Sequence, residues 1–262
     1  MTNAPSVDRA AVDREAVARR ALPLVDLTNL DAACAHGDID ALCERAVTPR
    51  GTVAAICIWP RFVSHARDRL GGAVPIATVV NFPDGGTNED ITAVETRQAI
   101  RDGAAEIDLV MPYRAFAEGD RAAASRTVRT VRAEVPDDRL LKVILETGEL
   151  REEPFIRDAS RLAIECGADF IKTSTGKVAE NATLRAARIM LEEIRASGET
   201  VGFKPAGGIR SVEDAAAYLA LADEIMGADW TGPRTFRFGA SGLLDDLLAA
   251  MDGGAAPSAT SY

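Results

Sequence analysis

Two lysines and an aspartate stand where they could do chemistry. Lys172 closes the apolar run Ala168-Asp169-Phe170-Ile171-Lys172, and Lys204 closes Val201-Gly202-Phe203-Lys204. If these runs are adjacent strands, two ammonium groups face one small cavity, because alternate residues of a strand point to the same side. Desolvation and like-charge repulsion both lower a lysine's pKa and leave one amine free to attack a carbonyl at neutral pH, which is what Schiff-base catalysis requires. Asp108, in Ala105-Glu106-Ile107-Asp108-Leu109-Val110, adds a carboxylate that can carry protons to and from a substrate hydroxyl, directly or through a water. Each residue has a plainer reading. A lone strand-end lysine usually snorkels to the rim or pairs with an acid, and Asp108 could serve only as that acid. Two such lysines beside one carboxylate favour the catalytic reading, and both roles can hold together.

Further polar residues end other apolar runs. Asp26 and Thr28 lie in Leu24-Val25-Asp26-Leu27-Thr28-Asn29-Leu30, and Cys57 lies in Ala54-Ala55-Ile56-Cys57-Ile58. Asp26 can anchor a lysine by pairing with it, while Cys57 is expected to line the cavity as a small buried residue rather than act as a nucleophile. Two late loops are rich in glycine: Lys204-Pro205-Ala206-Gly207-Gly208-Ile209-Arg210 and Phe238-Gly239-Ala240-Ser241-Gly242, the second leading into the helical Leu243-Leu244-Asp245-Asp246-Leu247-Leu248. Backbone N–H groups at Gly207, Gly208, Gly239 and Ser241, freed of bulky side chains and aimed from a helix start, suit a phosphate, with Gly176 and Lys177 completing the pocket. Glycine-glycine turns alone are weak evidence, since any turn uses glycine to reach φ > 0.

These residues need a frame that gathers strand ends, and the chain supplies one. Short β-rich runs alternate with longer helical patterns at about Leu22–Leu27, Val53–Ile58, Pro75–Val80, Glu106–Val110, Leu140–Leu145, Asp169–Lys172, Val201–Lys204 and Thr235–Phe238. Between them apolar residues recur at i, i+3, i+4, i+7, as in Ala159, Leu162, Ala163, Cys166 and in Val212, Ala215, Ala216, Leu219. Eight βα units predict a closed α/β (β/α)8 TIM barrel, and no G-x-G-x-x-G follows the first strand to favour a doubly wound sheet. In such a barrel the chemistry sits at the C-terminal strand ends. Alternate strands share an interior layer, so Asp108 on strand four and Lys172 on strand six are expected to meet. The first twenty residues read as a charged N-terminal helix, residues 253–262 as a flexible tail, and the whole of 1–262 as a single domain.

Composition narrows the rest. A net charge of −10 and the lack of a basic run with interleaved aromatics argue against nucleic acid. No apolar stretch approaches the roughly 18 residues of a membrane span, and the charged N-terminus lacks a signal-peptide core, which predicts a cytoplasmic protein with no membrane partner. The four cysteines form no C-x-x-C pair and the chain has two histidines, so neither a metal nor a disulfide framework is expected. Lysine and carboxylate chemistry remains.

The segments Ala168-Asp169-Phe170-Ile171-Lys172-Thr173-Ser174-Thr175-Gly176-Lys177, Val201-Gly202-Phe203-Lys204-Pro205-Ala206-Gly207-Gly208-Ile209-Arg210, Leu141-Lys142-Val143-Ile144-Leu145-Glu146-Thr147-Gly148-Glu149-Leu150 and Phe238-Gly239-Ala240-Ser241 resemble the 2-deoxyribose-5-phosphate aldolase family. The resemblance runs from about Leu22 to Leu248. It implies a class I aldolase without a cofactor, cleaving 2-deoxy-D-ribose 5-phosphate reversibly to acetaldehyde and D-glyceraldehyde 3-phosphate. Lys172 would carry the Schiff base, Lys204 perturb its pKa and Asp108 work in the proton relay, with Asp26, Thr28 and Cys57 on matching site positions. Its substrates would be a small sugar phosphate and aldehydes, and a homodimer is an assembly open to it. One departure stands out: the branch most resembled has two serines after the Phe-Gly-Ala segment, where this chain has Ser241 and Gly242. A hydroxyl donor to the phosphate is then missing, although the Gly242 N–H remains. The branch also ends in a tyrosine, matched by Tyr262, which resembles a mobile group assisting proton transfer at the enamine carbon. Two rival readings are a Schiff-base barrel acting on a ketone or keto acid, and a barrel that binds a sugar phosphate without catalysis. No dedicated carboxylate clamp supports the first, and the paired lysines argue against the second.

Overall fold

The computed structural model describes residues 12–253, and in them parallel strands alternate with helices. The barrel strands are β1 (Val25–Asn29), β2 (Ala55–Ile58), β3 (Ile76–Val80), β4 (Glu106–Val110), β5 (Leu140–Ile144), β6 (Phe170–Lys172), β7 (Gly202–Lys204) and β8 (Phe238–Ala240). They pair in parallel in the order β8-β1-β2-β3-β4-β5-β6-β7. The ring closes where the Phe203 N–H reaches the Thr235 carbonyl (2.8 Å), the Arg237 N–H the Phe203 carbonyl (3.0 Å) and the Gly239 N–H the Pro205 carbonyl (2.9 Å). The architecture is the expected (β/α)8 TIM barrel.

Around it lie α1 (Arg14–Ala21), α2 (His36–Ala46), α3 (Val63–Leu70), α4 (Glu89–Asp102), α5 (Tyr113–Ala117), α6 (Arg121–Glu134), α7 (Thr147–Leu150), α8 (Glu153–Glu165), α9 (Leu184–Ser197), α10 (Val212–Met226) and α11 (Leu243–Met251). Local sequence decides where they start. At α10 the Ser211 hydroxyl accepts from the Asp214 N–H while the Asp214 carboxylate accepts from the Ser211 N–H, a reciprocal cap. Along that helix Val212, Ala215, Leu219 and Ala222 are buried, the stripe expected of a helix laid on a sheet. No described helix is long and apolar enough to cross a membrane.

Two strands lie further along the chain than the apolar pattern predicts. β1 starts at Val25 rather than Leu22 because Leu22–Leu24 form a 3-10 turn opened by Pro23, which has no N–H to give a ladder. β8 spans Phe238–Ala240 rather than Thr235–Phe238: the Thr235 hydroxyl folds back onto the Trp230 carbonyl and accepts from the Gly232 N–H, and Phe236 makes only a single bridge to Phe203. Of the helix expected over the first twenty residues, 1–11 lie outside the described residues, and the described part holds α1, packed on α10 and α11 with Arg14 paired to Glu213 and Asp246. The tail expected over 253–262 lies outside the described residues beyond Gly253. A short antiparallel hairpin, Val47–Thr48 with Gly51–Thr52, is an element the pattern does not anticipate.

The large apolar core lies between sheet and helices, and a second, smaller cluster gathers Ala55, Cys57, Ala77 and Val79 of β2 and β3 with Leu30, which follows β1. The register puts Thr28 opposite Cys57, Cys57 opposite Ala77 and Val79 opposite Asp108, so these residues share the barrel's inner face. One side of the interior is therefore small and apolar, and the other is filled with charge.

Candidate active site

Each charged side chain sits inward because of strand parity. Glu106 and Asp108 are two apart on β4, Asp108 is in register with Lys142 on β5, and Lys172 on β6 with Lys204 on β7. Asp26 comes from β1, and Arg237 immediately precedes β8. All seven are buried, four cations facing three carboxylates.

Asp108 is the hub. Its Oδ2 accepts from Lys172 Nζ at 2.7 Å and from Lys204 Nζ at 2.8 Å, while Oδ1 accepts from Lys142 Nζ at 3.0 Å. Lys204 also donates to Asp26 Oδ2, and Arg237 donates to Asp26 Oδ1 (2.6 Å) and Glu106 Oε1 (2.9 Å). Lys142 further touches Glu106 and Asp26, so it has three carboxylate partners to the single one of Lys172.

These contacts set the electrostatics. Burial alone would favour the neutral acid at Asp108, but the charges of Lys142, Lys172 and Lys204 hold it well below the usual carboxylate range. Asp26 behaves likewise, with Lys142, Lys204 and Arg237 outweighing burial. For Lys204, burial pulls the pKa down, yet Asp108 and Asp26 more than offset it and the net direction is up. The repulsion expected between two lysines is thus outweighed at Lys204 by carboxylates that the lysine pattern alone does not reveal. Burial and the Asp108 charge push the Cys57 thiol up, away from thiolate chemistry.

A cavity of about 630 Å³ opens over this cluster. Lys172, Thr28, Gly176, Lys177, Gly207, Gly239 and Ser241 line it, together with Thr175, Leu30, Asp31, Arg45 and their neighbours. Lys204, Asp108, Asp26 and Cys57 are all fully buried and lie outside that lining, so Cys57 is a packing residue of the barrel interior rather than a wall of the cavity. Gly208 also lies outside the lining, and Tyr262 outside the described residues. Thr28 turns its hydroxyl onto the Asp26 carbonyl (2.8 Å), and Lys177 Nζ spans to the Leu30 carbonyl (2.7 Å), tying the β6 loop to the β1 loop. A Cβ on Gly239 would stand 2.8 Å from Ala206 Cβ and 3.1 Å from Lys204 Cε, so only glycine lets β8 pass this close to the lysine. Gly242 caps α11 without a side-chain hydrogen bond. Among the described residues no group of His, Cys, Asp and Glu is arranged to hold a metal ion.

Sequence reasoning missed Lys142, Glu106 and Arg237. Parity was the available signal: a charge two residues before Asp108, and one inside the apolar run Leu140–Ile144, must either face helices or join the interior cluster. Glu146 and Thr175, described below, carried no such signal.

A family model described as DeoC/LacD family aldolase matches residues 21–248. A deoxyribose-phosphate aldolase from Agrobacterium fabrum is 56% identical over 250 residues, which is 95% of this chain and 96% of that one. An apo structure from Toxoplasma gondii ME49, assigned as a deoxyribose-phosphate aldolase, superposes with a TM-score of 0.86 at 25% identity, covering 92% of this chain and 98% of that one. The tetrameric deoxyribose phosphate aldolase of Aeropyrum pernix, at 23% identity and a TM-score of 0.70 over 90% of this chain and 91% of its own, shares the fold. With a buried lysine lining the cavity and a match that runs from before β1 into α11, the chain is a lyase that belongs to the DeoC/LacD aldolase family.

Proposed function

We propose that this single-domain enzyme cleaves 2-deoxy-D-ribose 5-phosphate reversibly to acetaldehyde and D-glyceraldehyde 3-phosphate through a Schiff base on Lys172, in cytoplasmic deoxyribonucleotide catabolism. The substrate follows from similarity to the Agrobacterium fabrum aldolase. The observation that carries the chemistry is that, of the four cations packed inside the barrel, Lys172 alone lines the cavity.

The amine needs a lone pair to attack, and the Asp108 carboxylate 2.7 Å away is the base within reach of its proton. Nζ adds to C1 of the open-chain sugar, and Asp108 returns the proton to the C1 hydroxyl, which leaves as water and gives an iminium beside the restored carboxylate. That iminium keeps the positive charge where the ammonium had it, so Asp108 stabilises the intermediate without reorganising. The C2–C3 electron pair then moves toward nitrogen while the C3 hydroxyl proton passes through a water to Asp108, and glyceraldehyde 3-phosphate departs. Protonation of the enamine carbon, with Lys204, Asp108 or Tyr262 on the route, and hydrolysis at C1 return acetaldehyde and the free amine. Lys142 and Arg237 hold Asp108, Asp26 and Glu106 in place from below. The phosphate is assigned to the rim, where Gly176, Lys177, Gly207, Gly239 and Ser241 meet, with Gly208 in the same loop.

Borohydride reduction in the presence of the sugar phosphate tests this directly. The expected product is a stable adduct on the peptide bearing Lys172, absent in Lys172→Leu; an unmodified peptide in the wild type would remove the scheme. Release of acetaldehyde rather than dihydroxyacetone or pyruvate separates it from a ketone or keto-acid aldolase. Deleting Tyr262 should slow proton exchange into acetaldehyde if that residue serves the enamine.

A further inference from the structure

Six carboxylates are buried among the described residues: Asp26, Glu106, Asp108, Glu146, Glu193 and Asp246. Five are in salt bridges with lysine or arginine. Glu146, fully buried just after β5, has no salt-bridge partner among the described residues, and its backbone is left-handed with φ 58° and ψ 60°. A buried carboxylate held in a conformation that non-glycine residues rarely adopt is kept there by its surroundings.

All hydrogen bonds to the Glu146 carboxylate among the described residues come from one residue. Both carboxylate oxygens face the Thr175 N–H, at 3.2 and 3.3 Å, and Oε2 also accepts from the Thr175 hydroxyl at 2.5 Å. The same hydroxyl accepts from the Lys177 N–H at 3.0 Å. Next to it the Thr147 N–H donates to the Thr173 carbonyl at 2.9 Å, and Gly148 packs so closely on the Glu180 carbonyl that no Cβ would fit. The segment after β5 therefore buttresses the loop after β6 along much of its length. Thr175, Gly176 and Lys177 line the cavity, whereas Glu146 does not. Burial pushes the Glu146 carboxyl up, opposed by the Thr175 hydrogen bonds and by the charge of Lys172.

We propose that Glu146 is a positioning residue for the phosphate end of the substrate: it fixes Thr175, and through Thr175 the backbone of Gly176 and Lys177 that forms this wall of the pocket. The inference rests on the phosphate assignment made above. Glu146→Gln leaves one amide oxygen for the Thr175 N–H and hydroxyl that two carboxylate oxygens now accept, and turns an NH2 donor toward one of them, so the full set of contacts cannot be kept.

The test compares full-length variants on 2-deoxyribose 5-phosphate and on unphosphorylated 2-deoxyribose. Glu146→Gln and Thr175→Val are each expected to raise KM for the phosphorylated sugar about fivefold or more, the equivalent of one lost hydrogen bond, with a much smaller change in kcat and in kcat/KM for the unphosphorylated sugar. The double variant should be no worse than the worse single one, since both break one link. Thr175→Ser, which retains the hydroxyl, should recover most of the KM. Equal losses on both sugars, additive losses in the double variant, or Thr175→Ser as damaging as Thr175→Val would each overturn the proposal. If Glu146→Gln does not fold, the Thr175 pair decides alone. Failure of wild-type Lys172 to trap acetaldehyde under borohydride would sink the Schiff-base reading instead, and leaves the KM comparison valid.

Discussion

Asp108 Oδ2 lies 2.7 Å from Lys172 Nζ although their strands, β4 and β6, are separated in the sheet by β5. The two side chains meet across the barrel interior, where residues from alternate strands share a layer. Because Lys204 reaches the same oxygen at 2.8 Å, one carboxylate oxygen is shared by two lysines, and a change of charge on either is felt by the other.

Asp108→Asn should therefore harm both folding and turnover. It would leave Lys172 with no carboxylate partner and Lys142 and Lys204 with only Asp26 and Glu106 between them, a loss on the order of 3–5 kcal/mol for a broken buried pair. Removal of the proton acceptor should also lower kcat by about 10²–10⁴-fold. Urea unfolding and acetaldehyde release measure the two effects separately; stability within about 1 kcal/mol of wild type would contradict the hub role.

Lys142→Met separates structure from chemistry. Lys142 is fully buried, lies outside the cavity lining and touches Asp26, Glu106 and Asp108. A destabilisation of about 3–5 kcal/mol is expected, while borohydride still traps an adduct on Lys172 in the folded fraction. Loss of trapping at full folding would place Lys142 in the chemistry.

Gly242→Ser restores the hydroxyl that the sequence lacks. Gly242 has φ −106°, and a Cβ there meets nothing within 4 Å, so a serine fits without strain. One added hydrogen bond to the phosphate should lower KM for the phosphorylated sugar about fivefold, with little change for the unphosphorylated one. An unaltered ratio between the two sugars would mean that the phosphate lies elsewhere.

Acid should unfold the protein at the charged cluster. Asp26 and Asp108 are held below the usual carboxylate range, burial being outweighed by lysine and arginine charges. Groups depressed in the native state contribute stability above the unfolded value of about 4 and lose it as the pH falls toward the native value. Glu146, shifted upward, makes a smaller contribution of opposite sign, relieved as it protonates. The urea midpoint is expected to hold from pH 7 to about 5 and to drop steeply below about 4. A midpoint flat down to pH 3 would show that the cluster adds no pH-dependent stability.

The order of strands and helices, and which strand ends bear lysine or aspartate, could be read from the chain because apolar periodicity and strand parity are local properties: Lys172, Lys204 and Asp108 each announce themselves by closing or interrupting an apolar run. Even there, local detail intruded, since Pro23 delays β1 and the Thr235 turn delays β8. Tertiary structure alone decided how the charges pair. Which of the buried lysines opens to the cavity, how Lys142 and Arg237 balance three carboxylates, and why a left-handed Glu146 clamps a threonine 29 residues away all depend on distances across the barrel. A pKa or a hydrogen bond is set by neighbours in space, and a closed barrel brings together residues that sequence spacing leaves far apart.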